Sequence, residues 1–211
     1  MASQKTSGTD YTGKLGPTVS YLLNGKMVKR TIGFCDKPPT ILQLRFRAAS
    51  PLINDFLKVV KEFIRLGYGG NAVSKPENFV NLAYKEIYRN ALTGTYPALE
   101  IDFAKVLLSK GDMPATAVLN ANGIPAGIEF CWDPNSNKGC KWNDIAMVLA
   151  YVPELNLAEF LVSGANRKQG YEILPFTDLT AGTVIHTYIT FISANHTSVS
   201  DSVYTGALTW M

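Results

Sequence analysis

Between residues 18 and 31, Val19, Tyr21 and Leu23 alternate with smaller or differently facing neighbours and then give way to Asn24-Gly25. Period-two alternation running into Asn-Gly is the strongest short-range signal of a two-residue hairpin turn, because both turn residues must adopt φ > 0. A β-hairpin over 14–34 is therefore predicted. Asp36-Lys37-Pro38-Pro39 closes it, since proline cannot donate to a strand ladder. From Thr40 the period changes. Ile41, Leu44 and Ala48 recur at three and four, Ser50-Pro51 marks a break, and Leu52, Phe56, Val59, Val60 and Phe63 line one face of a fresh helix. Gly67-Tyr68-Gly69-Gly70-Asn71 stops that helix, and Pro76 suits a first helical turn. Phe79, Leu82, Ala83 and Ile87 then form another apolar stripe reaching about Leu92. Short-linked amphipathic helices of this kind predict an antiparallel helical pair.

Beyond Thr93 the period falls to two. Apolar segments at 104–108, 127–132, 145–152, 157–162, 171–174, 184–192 and 202–209 are separated by turn formers such as Asn122-Gly123, Asp133-Pro134, Val152-Pro153 and Asn195-His196. Seven short strands at this spacing predict a β-sandwich, without the Cys…Trp…Cys signature of a true immunoglobulin domain. The expected fold class is α+β: a flexible N-terminus at 1–13, a β-hairpin arm at 14–39, a helical hairpin at 40–93 and a C-terminal immunoglobulin/fibronectin-like β-sandwich at 94–211. No internal repeat or low-complexity tract competes with this division.

Composition is that of an ordinary globular chain of 211 residues, 46% apolar and 18% charged, with no apolar run long enough to cross a bilayer. The first thirteen residues are small and polar and lack the apolar stretch of a classical signal peptide, so a cytoplasmic or particle-associated protein is expected. Charge changes the picture more. Residues 1–47 hold eight Lys or Arg against two Asp, a net +6, while the rest holds twelve basic and fifteen acidic residues, a net −3. A basic arm on a mildly acidic body suits nucleic acid or a neighbouring copy of the chain. The sequence has no interleaving of aromatic and basic residues for base stacking, which disfavours nucleic acid.

Candidate chemistry is sparse. Cys35, Cys131 and Cys140 form an odd set without CxxC spacing, which reads as reduced thiols; a Cys131–Cys140 staple is the weaker alternative. His186 shares a strand face with Tyr188 and Thr190, opposite Ile185, Ile189 and Phe191, and that face is expected to meet solvent or a partner. His196 lies in a turn. Asp133, Asn135, Asn137 and Asp144 mimic the ligand spacing of a calcium loop, but Lys138 stands where the turn needs glycine and no bidentate Glu follows. Glu100 and Asp102 read as a solvated strand face, and 67–71 lacks the lysine and hydroxyl of a phosphate loop. No catalytic residue, cofactor or metal is therefore expected.

At residues 90–113, Asn90-Ala-Leu-Thr-Gly-Thr-Tyr-Pro is followed by Ile101-Asp-Phe-Ala-Lys and Ser109-Lys-Gly. This block resembles an uncharacterised family of Bacteroidota proteins, a domain of unknown function. The resemblance extends to Gly13–Gly16, Gly25-Lys26, Arg30, Lys37–Thr40, Gln43 and 64–67 upstream. Downstream it includes Phe130-Cys131-Trp132, 145–151, Gly164-Ala165-Asn166-Arg167, 191–194 and 200–204. The family's usual tryptophan before the hairpin glycine is missing, with Leu22-Leu23-Asn24 in that place. The resemblance implies architecture and no activity. The expected function is a non-enzymatic structural or assembly protein, part of a homo-oligomer, filament or particle of cellular, prophage or phage origin. It would contact itself or a partner protein through Lys14, Tyr21, Leu23, Lys26, Lys29 and Arg30 of the arm. The alternatives are a module holding carbohydrate or protein in its sandwich loops, and an enzyme of unrecognised type.

Overall fold

In a computed structural model of the chain, the structure describes residues 3–4, 11–34, 36–69, 78–116, 119–134, 139–176 and 179–210. The chain divides into two units, 1–40 and 41–211. In the first, Asn24 and Gly25 take φ of 49° and 77°, the left-handed pair that a two-residue hairpin turn demands. They join β3 (Thr18–Leu23) to β4 (Lys26–Thr31), with Leu23 opposite Lys26. The sheet does not stop there. Strand β2 (Tyr11–Leu15) pairs antiparallel with β3 and the short β1 (Ser3–Gln4) pairs with β2, giving the order β1-β2-β3-β4. The completing strand thus comes from the chain's own start, overlapping a stretch expected to be flexible.

In the second unit, α1 (Ile41–Val59) runs unbroken through Pro51, where a break was expected. The proline forfeits one bond, to the Arg47 carbonyl, on the exposed side of the helix. Ala49, Ile53, Phe56 and Leu57 are buried on both sides of it and hold the two halves to one core. After α2 (Lys61–Gly67) comes α3 (Phe79–Glu86), whose cap Asn78 accepts from the Val80 amide at 2.9 Å; a π-helical turn, Ile87–Ala91, extends it. Pro76 and residues 70–71 lie outside the described residues. Gly94 sits at φ 80° in a hairpin of β5 (Leu92–Thr95) and β6 (Ala98–Ile101) that turns at a cis Tyr96-Pro97 bond. A Cβ at Gly94 would meet the Ala98 carbonyl oxygen at 2.2 Å, so glycine is required twice over.

The segment 104–108, expected as a strand, is a 3₁₀ turn (Phe103–Lys105) followed by an extended stretch outside any sheet. Its alternation is real, because Val106 and Leu108 point into the core, but side-chain hydroxyls rather than a strand ladder hold its backbone. The sandwich starts later, with β7 (Leu119–Ile124) and β8 (Gly127–Trp132). Asn122-Gly123, expected as a turn, lies within β7, which turns instead at Pro125-Ala126. Then follow β9 (Ile145–Val152), β10 (Leu157–Leu161), β11 (Tyr171–Pro175), β12 (Val184–Ile192) and β13 (Val203–Thr209). The sheets run β11-β8-β7 and β10-β9-β12-β13. First, second and fifth strands are on one side and fourth, third, sixth and seventh on the other, a fibronectin-type split.

Three layers result. Ala146, Val148, Ala150 and Val152 of β9 face the sandwich interior with Phe130, Trp132, Ile185, Ile189 and Phe191. Met147, Leu149 and Tyr151, the alternate residues, face a second core built with Phe56, Phe63, Ile64 and Ile87 of the helices. The face of β12 that was expected to meet solvent or a partner belongs to this second core. Tyr188 is 0% and Thr190 1% exposed, and the ring of His186 lies 4.5 Å from that of Phe103. Helices cover that face because a four-stranded sheet with apolar residues on both sides must bury both.

Candidate functional site

Directly opposed residues on antiparallel strands share a face. Lys14 and Arg30 both oppose Val19, Tyr21 opposes Val28, and Leu23 opposes Lys26. Five of the six arm residues singled out from the sequence (Lys14, Tyr21, Leu23, Lys26 and Arg30) therefore lie on one face of the first unit's sheet. Lys29, opposite Ser20, lies on the other. Among the described residues, the shared face carries three cations and no carboxylate around Val19, Tyr21, Leu23 and Val28. The Arg30 guanidinium stands 6.0 Å from the centre of the Tyr21 ring, within cation–π range. On the opposite face Lys29 stands 5.3 Å from the Tyr11 ring, and the Tyr11 hydroxyl shares a 3.2 Å hydrogen bond with Thr18 Oγ1. That bond, together with Ser20 and the Lys29 charge, lowers the Tyr11 pKa from its ordinary 10.

This sheet lacks a core of its own. Among the described residues of 1–40 no apolar side chain is buried; Leu15, Leu22 and Leu23 are 57%, 59% and 53% exposed and Phe34 92%. Leu22 and Leu15, both on the Lys29 face, were missed as surface residues, although the Leu22-Leu23 doublet in the sequence already puts one leucine on each face.

Polar groups in the body are absorbed by the fold. The Arg167 side chain, 1% exposed, pairs with the equally buried Asp144 (Nε to Oδ2 3.4 Å) and lies 3.9 Å from the centre of the Phe191 ring. It also donates to Thr116 Oγ1. Asp144 accepts from the Lys141 amide at 2.8 Å, and Trp132 Nε1 donates to the Arg167 carbonyl at 2.7 Å. Asp144 is thus committed to a buried pair; Asn135, Asn137 and Lys138 of the calcium-like spacing lie outside the described residues. A second cluster explains the Ser109-Lys110-Gly111 and Ser200-Asp201-Ser202 motifs. Ser109 Oγ lies 2.8 Å from both Thr190 Oγ1 and the Ser200 carbonyl oxygen, while Ser202 Oγ accepts from the Leu108 amide at 2.8 Å. Asp201 accepts from the Gly111 amide at 3.0 Å, and a Cβ on Gly111 would meet the Val199 carbonyl oxygen at 2.1 Å. The Ser202 hydroxyl, the Asp201 carboxylate and the Gly67 carbonyl, which accepts from the Lys110 amide at 3.1 Å, stand in for the missing strand partners of 108–111.

His186 Nδ1 shares a 2.9 Å hydrogen bond with the Tyr204 hydroxyl, and burial lowers the imidazole pKa from its ordinary 6.5. His196 sits at φ 58° in its turn. Asp102 caps the 3₁₀ turn through the Ala104 amide and pairs with Lys105 at 2.7 Å. Cys131 and Cys140 are free thiols, and burial raises the Cys131 pKa, with Glu129 adding to it; Cys35 lies outside the described residues. Among the described residues no three His, Cys, Asp or Glu groups converge as metal ligands, and no helix is long and apolar enough to cross a membrane.

No curated protein and no solved structure matches the chain. A family profile does match, and it spans strands of both units, from Thr12 in β2 to Gly206 in β13. The chain belongs to the family of unknown function DUF6266, matched over residues 12–206.

Proposed function

We propose that the chain is a non-enzymatic structural protein that assembles with copies of itself or with a partner protein through its N-terminal sheet. Its setting would be a filament or particle, or the cytoplasm, of a cell, prophage or phage, and the sequence resemblance points to Bacteroidota. One observation carries the reading: the sheet of 1–40 buries no apolar side chain among its described residues and exposes leucines on both faces. A small sheet without a packed face has little to stabilise it in water. Exposed apolar side chains rimmed by charge mark interaction surfaces. The cations on the Tyr21 face suit a partner bearing carboxylates. The test is light scattering on size-exclusion peaks of the full chain and of a variant lacking 1–34. The full chain should run as a multimer, and the truncation as a folded monomer with native-like circular dichroism. A full chain that stays monomeric at high concentration would remove the reading.

A second reading, a ligand-binding module, is favoured by a cleft of about 550 Å³ beside the β7–β8 turn, lined by Ile124, Pro125, Leu208 and Trp210. A rise in melting temperature with an oligosaccharide panel, abolished by Trp210→Ala, would support it over the first.

A further inference from the structure

The body carries a surface whose chemistry complements the arm. Between α1, β6 and the turn joining β9 to β10 lies an open groove of about 500 Å³. Its floor is aromatic: Phe56 and Tyr151 meet edge to face at 4.8 Å, and Phe103 tilts against Tyr151 at 5.2 Å. Leu99 adds to the apolar wall. The charges in the lining are Asp55 and Glu100, with no cation among the described lining residues. Asp55 touches Lys58 at 2.6 Å, but both side chains are more than half exposed, so this pair is weak and can be exchanged.

We propose that this groove receives the Tyr21–Leu23 face of the arm of a second copy. The inference rests on the assembly reading above and names its acceptor. Tyr21 and Leu23 enter the aromatic groove, while Lys26 and Arg30 meet Asp55 and Glu100. Lys26 lies opposite Leu23 and Arg30 opposite Val19. The two cations therefore stand about 14 Å apart along the strand, at about 3.4 Å per residue, Lys26 level with Leu23 and Arg30 beyond Tyr21. The pattern is apolar beside two like charges on the arm and apolar beside two opposite charges in the groove. Such a contact is heterologous: each copy offers one arm and one groove, so repetition generates a ring if the rotation closes and a filament if it does not.

Charge reversal tests it on the full chain. The groove variant Asp55→Lys/Glu100→Lys and the arm variant Lys26→Glu/Arg30→Glu should each weaken self-association at least about tenfold in light scattering. An equimolar mixture of the two should restore it, because every arm in the mixture then finds a groove of opposite charge. The size-preserving Asp55→Asn/Glu100→Gln variant should weaken association less, with unchanged circular dichroism. A groove variant that assembles like the parent while the 1–34 deletion is monomeric would overturn the groove and leave the assembly reading standing. A mixture that stays monomeric would also overturn the groove. A parent chain that is monomeric at every concentration would overturn both, the arm then serving its own chain.

Discussion

The arm and the body are both built of antiparallel strands, yet the body's central strand β9 is buried on both faces while the described arm residues bury no apolar side chain on either. In β9 the run Ile145-Ala-Met-Val-Leu-Ala-Tyr-Val is buried from Ala146 onward, alternate residues serving the sandwich and the helical core. In β3 the run Thr18-Val-Ser-Tyr-Leu-Leu buries Ser20 alone. The difference lies in what covers each strand. β9 is central, flanked by β10 and β12, with a second sheet on one side and helices on the other. Among the described residues, the arm's four strands have no second layer within their unit. Strand pairing supplies backbone hydrogen bonds in both places, but apolar burial, at roughly 25 cal/mol per Å², operates in one of them.

The comparison can be broken first in the body. Phe63 is 0% exposed and meets Phe160 of β10 edge to face at 6.2 Å. Phe63→Ala should cost about 3–5 kcal/mol in chemical denaturation; an unchanged midpoint would remove Phe63 from the interface of helix and sheet. A comparable loss is expected from Asp144→Ala, which strands the buried Arg167 charge, about 3–5 kcal/mol where one partner of such a pair is removed. If Asp144→Ala were neutral, the Arg167 side chain would have to reach solvent.

A smaller effect comes from pH. Burial holds the His186 pKa below its ordinary 6.5, so as pH falls through that value the unfolded chain takes up a proton that the folded chain resists. Stability is therefore retained above about pH 6.5 and declines below it. Melting curves between about pH 7.5 and pH 5.5 should show the decline, and His186→Gln should flatten it. An equal slope in both proteins would show that other groups set the dependence. Smallest of all is the arm. Leu22→Ser, at a side chain 59% exposed, should move the body's melting by no more than about 0.5 kcal/mol. A large loss would mean that Leu22 is packed in the free chain.

Where apolar segments were bounded by turn formers and the ladders were regular, the sequence was legible: the segments 127–132, 145–152 and 184–192 coincide with β8, β9 and β12. The Asn24-Gly25 turn was legible because its backbone demand is local. What failed depended on tertiary context. Pro51 is tolerated because the residues flanking it are pinned to one core, and Asn122-Gly123 continues β7 because β8 pairs along it. The polar residues of β12 gave no hint that helices cover them, since Thr190 is satisfied by Ser200 across the following turn and Tyr188 by the Phe103 carbonyl, far away in sequence. One signal was available and went unused. A strand such as 145–152, with no polar position at all, is the pattern of a strand buried on both faces. At the arm, the shared face of Tyr21, Leu23, Lys26 and Arg30 follows from alternation and a two-residue turn. Its lack of cover within the unit does not follow from any local pattern.

The central claim, that the arm's sheet is covered by contacts between copies, is met most directly by hydrogen exchange on the full chain over a range of concentrations. Amides of β2, β3 and β4 should exchange fast in dilute protein and gain protection as concentration rises, while those of β9 and β12 stay slow throughout. Arm amides equally protected at every concentration would contradict the account.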